Sequence, residues 1–80
     1  MLTIYTKPNC PHCVEAKHYL SMHHIGYQEI DIANDGAALR FLLEQGHRTV
    51  PQLYADDHLL EGGNVGLRQL PLTELEQLSA

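Results

Sequence analysis

Leu2-Thr3-Ile4-Tyr5-Thr6 alternates apolar and polar positions and is rich in β-branched and aromatic residues, the pattern of a half-buried strand. Lys7-Pro8-Asn9 breaks the alternation. Pro11 suits a first helical position, where its missing N–H has no partner to lose, and this puts Cys10 at the N-cap. Cys13, Ala16 and Leu20, with Val14 alongside, recur at helical spacing until Ile25-Gly26, where glycine can supply a left-handed stop. A helix is therefore expected over roughly 11–23 and a second strand over 27–32. Asn34-Asp35-Gly36 offers turn and capping residues for a helix over 37–45, with Ala38, Leu39, Leu42 and Leu43 on its apolar face and Gly46 ending it. Gln52-Leu53-Tyr54-Ala55 and His58-Leu59-Leu60 read as a hairpin turning at Asp56-Asp57. Gly62-Gly63 precedes 64–70, Pro71 breaks the pattern, and Thr73 with Glu76 forms a capping box for a final short helix. Tyr5, Leu20, Leu39, Leu42 and Leu53 are spaced as packing residues, whereas Phe41 is out of phase and expected to be partly exposed.

The order is βαβαββα. A β-α-β start requires a parallel pair and a terminal hairpin an antiparallel one, so the expected fold is α/β, a four-stranded mixed sheet flanked by helices. Eighty residues leave room for one domain, spanning 1–80, and no repeat, linker or low-complexity stretch divides it. Ten acidic against five basic residues give a formal charge of −5, which repels phosphate backbones and anionic lipid, so neither nucleic acid nor a membrane is an expected partner. No apolar run approaches the ~20 residues of a spanning helix, and Met1-Leu2-Thr3-Ile4 begins a strand and not a cleavable leader, so a cytoplasmic location is expected.

The chain has two cysteines, in Cys10-Pro11-His12-Cys13. Closing so short a loop removes little unfolded-state entropy, and in a reducing compartment such a disulfide is more often catalytic than structural. Thiol–disulfide exchange needs a thiolate, while a free cysteine, with a reference pKa of about 8.5, is mostly protonated at neutral pH. A helix N-terminus supplies what is needed: unpaired N–H groups, here those of His12 and Cys13, and about half a positive charge. Lys7 and a protonated His12 would add to it. Cys10 is thus the expected nucleophile, and Cys13, one turn further in, the thiol that resolves a mixed disulfide. A C-x-x-C closing the first strand of a βαβ unit favours this redox reading. Zinc needs four ligands, no second C-x-x-C exists, and His23-His24 and His47 could complete a site only by accident of folding. An iron–sulfur cluster bridging two chains is the other alternative. No metal is expected. His18, His23, His24 and His58 are expected to be solvated and without a role.

Thr6-Lys7-Pro8-Asn9-Cys10-Pro11-His12-Cys13, then 27–32, then Thr49-Val50-Pro51, then Gly62-Gly63 follow the order and spacing of the glutaredoxins, and over essentially its whole length the chain resembles that family. The resemblance implies a thioredoxin-like fold, a monomer, and a glutathione-dependent oxidoreductase that reduces protein disulfides and glutathione mixed disulfides, with ribonucleotide reductase a plausible protein substrate. It implies a cis bond before Pro51, with Val50 backbone groups facing the site to pair an extended substrate beside Thr49. It also implies that Lys7, with Arg48 or Arg40, holds the glycine carboxylate of glutathione, and that N–H groups at Gly62, Gly63 and Asn64 hold the γ-glutamyl carboxylate. The chain departs from the family in two places. Val65 and Gly66 stand where members commonly carry aspartates for the ammonium end, a loss for which Asn64 is the expected compensation. His12 replaces the common tyrosine, and an imidazole there should favour the reduced form and make the disulfide more oxidising. The first departure brings in an alternative, the glutaredoxin-like redoxins recharged by thioredoxin reductase.

Overall fold

The computed structural model describes residues 1–79 and places eight elements in the order β1 (Leu2–Thr6), α1 (Pro11–Met22), β2 (Gln28–Asp31), α2 (Gly36–Glu44), β3 (Gln52–Ala55), β4 (His58–Leu60), α3 (Gly63–Gln69) and α4 (Leu72–Ser79). The strands form one mixed sheet in the order β2-β1-β3-β4. β1 runs parallel to β2, with Thr3 opposite Gln28, and antiparallel to β3, with Ile4 opposite Leu53, so β1 lies in the interior of the sheet and its C-terminal end projects the cysteine loop. β3 and β4 close the hairpin around Asp56, whose φ of 53° supplies the tight turn.

The alternation in β1 sorts the two faces. Leu2 and Ile4 point into the main core with Ala16 and Leu20 of α1, Ile25, Leu53 of β3, Leu67 of α3 and Leu75 of α4. On the other face Tyr5, Tyr54 and Phe41 of α2 stack, with ring centroids 5.3–5.8 Å apart, and the Tyr54 hydroxyl lies 2.7 Å from His47 Nε2. Burial, aided by the charge of Asp35, pushes the Tyr5 hydroxyl pKa upward. Phe41, expected partly exposed, is half-buried here.

Helix ends explain the differences from the expected elements. α2 starts one residue early because the Asp35 carboxylate accepts from Ala38 N–H at 3.0 Å, and it stops at Gly46, with φ 84°, as expected. α1 does not stop at Gly26. His24 takes the left-handed conformation, with φ 58°, and Ile25 N–H donates to the Leu20 carbonyl, so the chain has already turned before the glycine. Thr73 does not form the expected capping box. α4 begins at Leu72, and the Pro71 carbonyl accepts from Glu74 and Leu75 N–H, which leaves Thr73 inside the first turn. Leu39, expected in the core, is exposed with Leu43, because α2 turns Ala38 and Leu42 to the sheet.

Candidate functional site

β1 delivers the chain to the site and then has to reverse it. Asn9, at φ 59°, makes the bend in a conformation asparagine tolerates, and Cys10 takes the extended geometry of an N-cap ahead of Pro11 at the first helical position. Cys10 and Cys13 form a disulfide. Cys10 Sγ accepts the Cys13 N–H at 3.1 Å, and the Cys10 carbonyl accepts from Val14 at 3.1 Å. A sulfur at the start of α1 that already receives a backbone N–H is placed where negative charge is stabilised. Of the two donors expected from the sequence, Cys13 N–H fills the role. The cysteines differ in access: Cys10 is 7% exposed and Cys13 1%.

The second wall comes from β3. The Val50–Pro51 peptide bond is cis, and the Val50 carbonyl oxygen lies 3.8 Å from Cys10 Sγ. Gln52 was not foreseen. Its amide donates to the Thr49 carbonyl at 2.9 Å and pins the loop that carries Val50, a contact for which the sequence offers no signal beyond adjacency to Pro51. The third wall is the start of α3, where Gly62 and Gly63 have φ of 91° and 54°. A Cβ on Gly63 would sit 3.1 Å from the Pro51 carbonyl, so glycine there lets α3 stand close against the proline turn. His12, Thr49, Pro51, Gly63 and Val65 border the groove so formed, and its lining includes no carboxylate.

On the other flank of α1 a second cleft runs past Cys10 and Cys13, edged by Lys7, Pro11, Val14 and Lys17. Val14, read from the sequence alongside Cys13, Ala16 and Leu20, is instead exposed on the outer side of α1 and was not assigned to the site. Lys17 is committed to Glu29 at 2.9 Å, and that carboxylate also accepts from Thr6 Oγ1 at 2.8 Å; these two hydrogen bonds hold its pKa below the ordinary range. Lys7 and Arg48 are exposed and have no ion pair among the described residues. Arg48 borders neither the groove nor the cleft, but a neighbouring cavity shared with Lys7, Thr49 and Val50. Arg40 borders none of these three and lies on the exposed side of α2.

Asn64 lines the groove, but its amide is already engaged. The residue is 9% exposed, with Nδ2 donating to Glu15 at 3.3 Å and Oδ1 accepting from Arg68 Nε at 3.2 Å, so an ammonium group would have to share the Asn64 oxygen with Arg68. Asn64 ties α3 to α1. Arg68 also lies 5.1 Å from the Tyr19 ring centre, which extends the same attachment. Asn64→Ala is expected to cost about 1–3 kcal/mol through the two lost hydrogen bonds and the unpaired groups left behind, read as a fall of several degrees in the thermal unfolding midpoint. An unchanged midpoint would show that the attachment is weak.

Among the described residues no three His, Cys, Asp or Glu side chains gather as metal ligands, and no helix is long and apolar enough to cross a membrane.

A central strand, a disulfide at the start of the following helix and a cis proline beside it define a thioredoxin-like thiol–disulfide fold. The family model for glutaredoxin matches residues 2–60, and the chain belongs to the glutaredoxin family. It is 36% identical over 62 residues to the glutaredoxin-like protein NrdH of Lactococcus lactis, covering 78% of this chain and 86% of that one. It is 37% identical over 60 residues to glutaredoxin 3 of Escherichia coli, covering 74% and 72%. The structure of the glutaredoxin-like protein NrdH-redoxin from Escherichia coli superposes with a TM-score of 0.73 at 26% identity, over 88% of this chain and 95% of that one. The family's activity is thiol–disulfide exchange.

Proposed function

We propose that the protein, as a single domain, reduces protein disulfides and glutathione mixed disulfides, with Cys10 as nucleophile, Cys13 as resolving thiol and glutathione as electron source. The position of Cys10 Sγ carries the reading: it caps α1, accepts the Cys13 N–H, borders the cleft on the flank of α1, and lies 3.8 Å from the carbonyl of Val50, which lines the groove. In this reading the Cys10 thiolate attacks one sulfur of the substrate disulfide and expels the other as a thiolate. The Cys13 thiolate then attacks Cys10 sulfur and releases the second substrate thiol, leaving the Cys10–Cys13 disulfide. Two glutathione molecules restore the dithiol, the first by forming a mixed disulfide with Cys10 and the second by leaving with it as glutathione disulfide. Two electrons pass from glutathione to substrate. Lys7 and Arg48, both unpaired cations, are suited to the glycine carboxylate. The likeness to glutaredoxin 3 supports glutathione as the reductant.

A second reading makes thioredoxin reductase the electron source and ribonucleotide reductase the partner. The absence of any carboxylate in the groove lining favours it, as does the likeness to NrdH proteins. The deciding experiment is turnover of the mixed disulfide of glutathione and 2-mercaptoethanol, with glutathione plus glutathione reductase or with thioredoxin reductase as the source. Turnover with glutathione supports the first reading, turnover with thioredoxin reductase alone the second, and turnover with neither refutes both.

Val65→Asp tests the ammonium end directly. Val65 is 65% exposed at the groove edge, so an added carboxylate there has room and sits beside the start of α3. An exposed ion pair of this kind is worth about 0.2–1 kcal/mol, so KM for the glutathione mixed disulfide is expected to fall by up to about fivefold with little change in kcat. An unchanged KM would place the ammonium group elsewhere.

A further inference from the structure

We propose that the outer face of α2 and the cavity beneath it dock the protein substrate, taking an acidic segment with a leucine or phenylalanine that flanks the disulfide to be reduced. The proposal rests on Cys10 being the attacking sulfur. Amphipathic spacing would bury Leu39 and Leu43 with Ala38 and Leu42, yet they are 40% and 55% exposed, one turn apart on the same side of the helix. Together with Ile32 they give the cavity an apolar floor, and Lys7 and Arg48 supply its rim.

The charge pattern names the occupant. The chain carries ten acidic residues and five basic ones, so internal partners for lysine and arginine are in excess. Among the described residues Lys17 takes one of them, whereas Lys7 and Arg48 take none, and no Asp or Glu lines this cavity. Two unpaired cations above exposed leucines fit a ligand that is both anionic and apolar, and they disfavour a basic one.

The cavity is continuous with the site. Thr49 and Val50 border both the cavity and the groove, and the Val50 carbonyl is 3.8 Å from Cys10 Sγ. An extended peptide advances about 3.3 Å per residue, so positions two to four residues from the attacked half-cystine lie roughly 7–13 Å away, in the direction in which Thr49 and Val50 lead to the cavity. Glutathione has a single residue on either side of its cysteine. It has no residue at positions two to four, so in this proposal the face separates protein substrates from small ones.

The test uses two disulfide peptides identical except at positions two to four from the cysteine, one carrying Glu-Leu-Glu and the other Lys-Ser-Lys. Each is reduced by the wild-type protein and by the Leu39→Ser/Leu43→Ser double variant. The wild type is expected to reduce the acidic peptide with about tenfold higher kcat/KM, and the double variant to lose most of that preference while turning over the 2-mercaptoethanol mixed disulfide of glutathione within about twofold of wild type. Equal kcat/KM for the two peptides would overturn the proposal, as would an equal loss on the small disulfide. Binding of a cysteine-free acidic peptide to the oxidised protein, followed by fluorescence anisotropy, separates docking from chemistry: binding lost in the double variant upholds the docking face even where exchange fails, and no binding refutes it. A concentration-dependent dimer in sedimentation, abolished by the same substitutions, would assign the face to a second copy and overturn the proposal.

Discussion

Cys10→Ser is expected to reduce all exchange to the uncatalysed rate, whereas Cys13→Ser retains reduction of the glutathione mixed disulfide and loses reduction of protein disulfides. The asymmetry follows from access and position. Cys13 is 1% exposed, and an incoming disulfide must meet Cys10 first, at the N-cap of α1, where the Cys13 N–H and the helix terminus favour a thiolate. A serine hydroxyl in that place has no comparable tendency to ionise or to attack sulfur. Cys13 matters only once Cys10 carries a substrate. Held one turn away, it attacks intramolecularly, with the large effective concentration that fixed geometry provides, and so outruns any thiol from solution. A glutathione mixed disulfide does not need this step, because a second glutathione can release the first. The check is steady-state turnover of both substrate types by both variants, with mass spectrometry of the trapped Cys10 adduct in Cys13→Ser. Equal losses in the two variants would refute the division of roles.

The cysteine loop was legible in the sequence because each local rule acted within a few residues: proline at the first helical position, a cysteine before it, a strand behind it. The alternation of β1 also carried over to the two faces of the sheet. Features that depend on distant partners were not legible. Asn64 read as a groove residue and does line the groove, but nothing near it in sequence announces Glu15, forty-nine positions earlier, as its hydrogen-bond partner. Leu39 read as core because helical spacing cannot tell how wide a stripe a sheet will cover, and here Ala38 and Leu42 suffice. His24 shows the same limit on a smaller scale, since the left-handed position fell two residues before the glycine that suits it best.

The two positions where the chain lacks the family's aspartates behave oppositely, and Gly66→Asp is expected to damage the protein where Val65→Asp improves it. A Cβ on Gly66 would collide with the Glu61 carbonyl, approaching its carbon to 2.9 Å, and the obstacle is backbone that cannot rotate away. Gly62 is equally tight from the other side, since a Cβ there would lie 2.9 Å from Gly66 Cα. The two glycines, four residues apart and joined by the Gly66 N–H to the Gly62 carbonyl at 3.0 Å, let the segment after β4 fold directly onto α3. Any side chain at 66 has to push Glu61 or α3 away, and overpacking of this kind costs about 1–3 kcal/mol or more. For a chain of this size that is a fall of at least about 4 °C in the thermal midpoint, and more at the upper end. Gly66→Ala is the sharper control, because helix propensity alone predicts a gain of about 1 kcal/mol from the same substitution. A loss of stability in Gly66→Ala would show that the closed approach to Glu61 decides the matter, and would explain why this chain can regain an ammonium partner at 65 but not at 66. A gain would mean that the segment yields, and the steric account of the missing aspartate would fall with it.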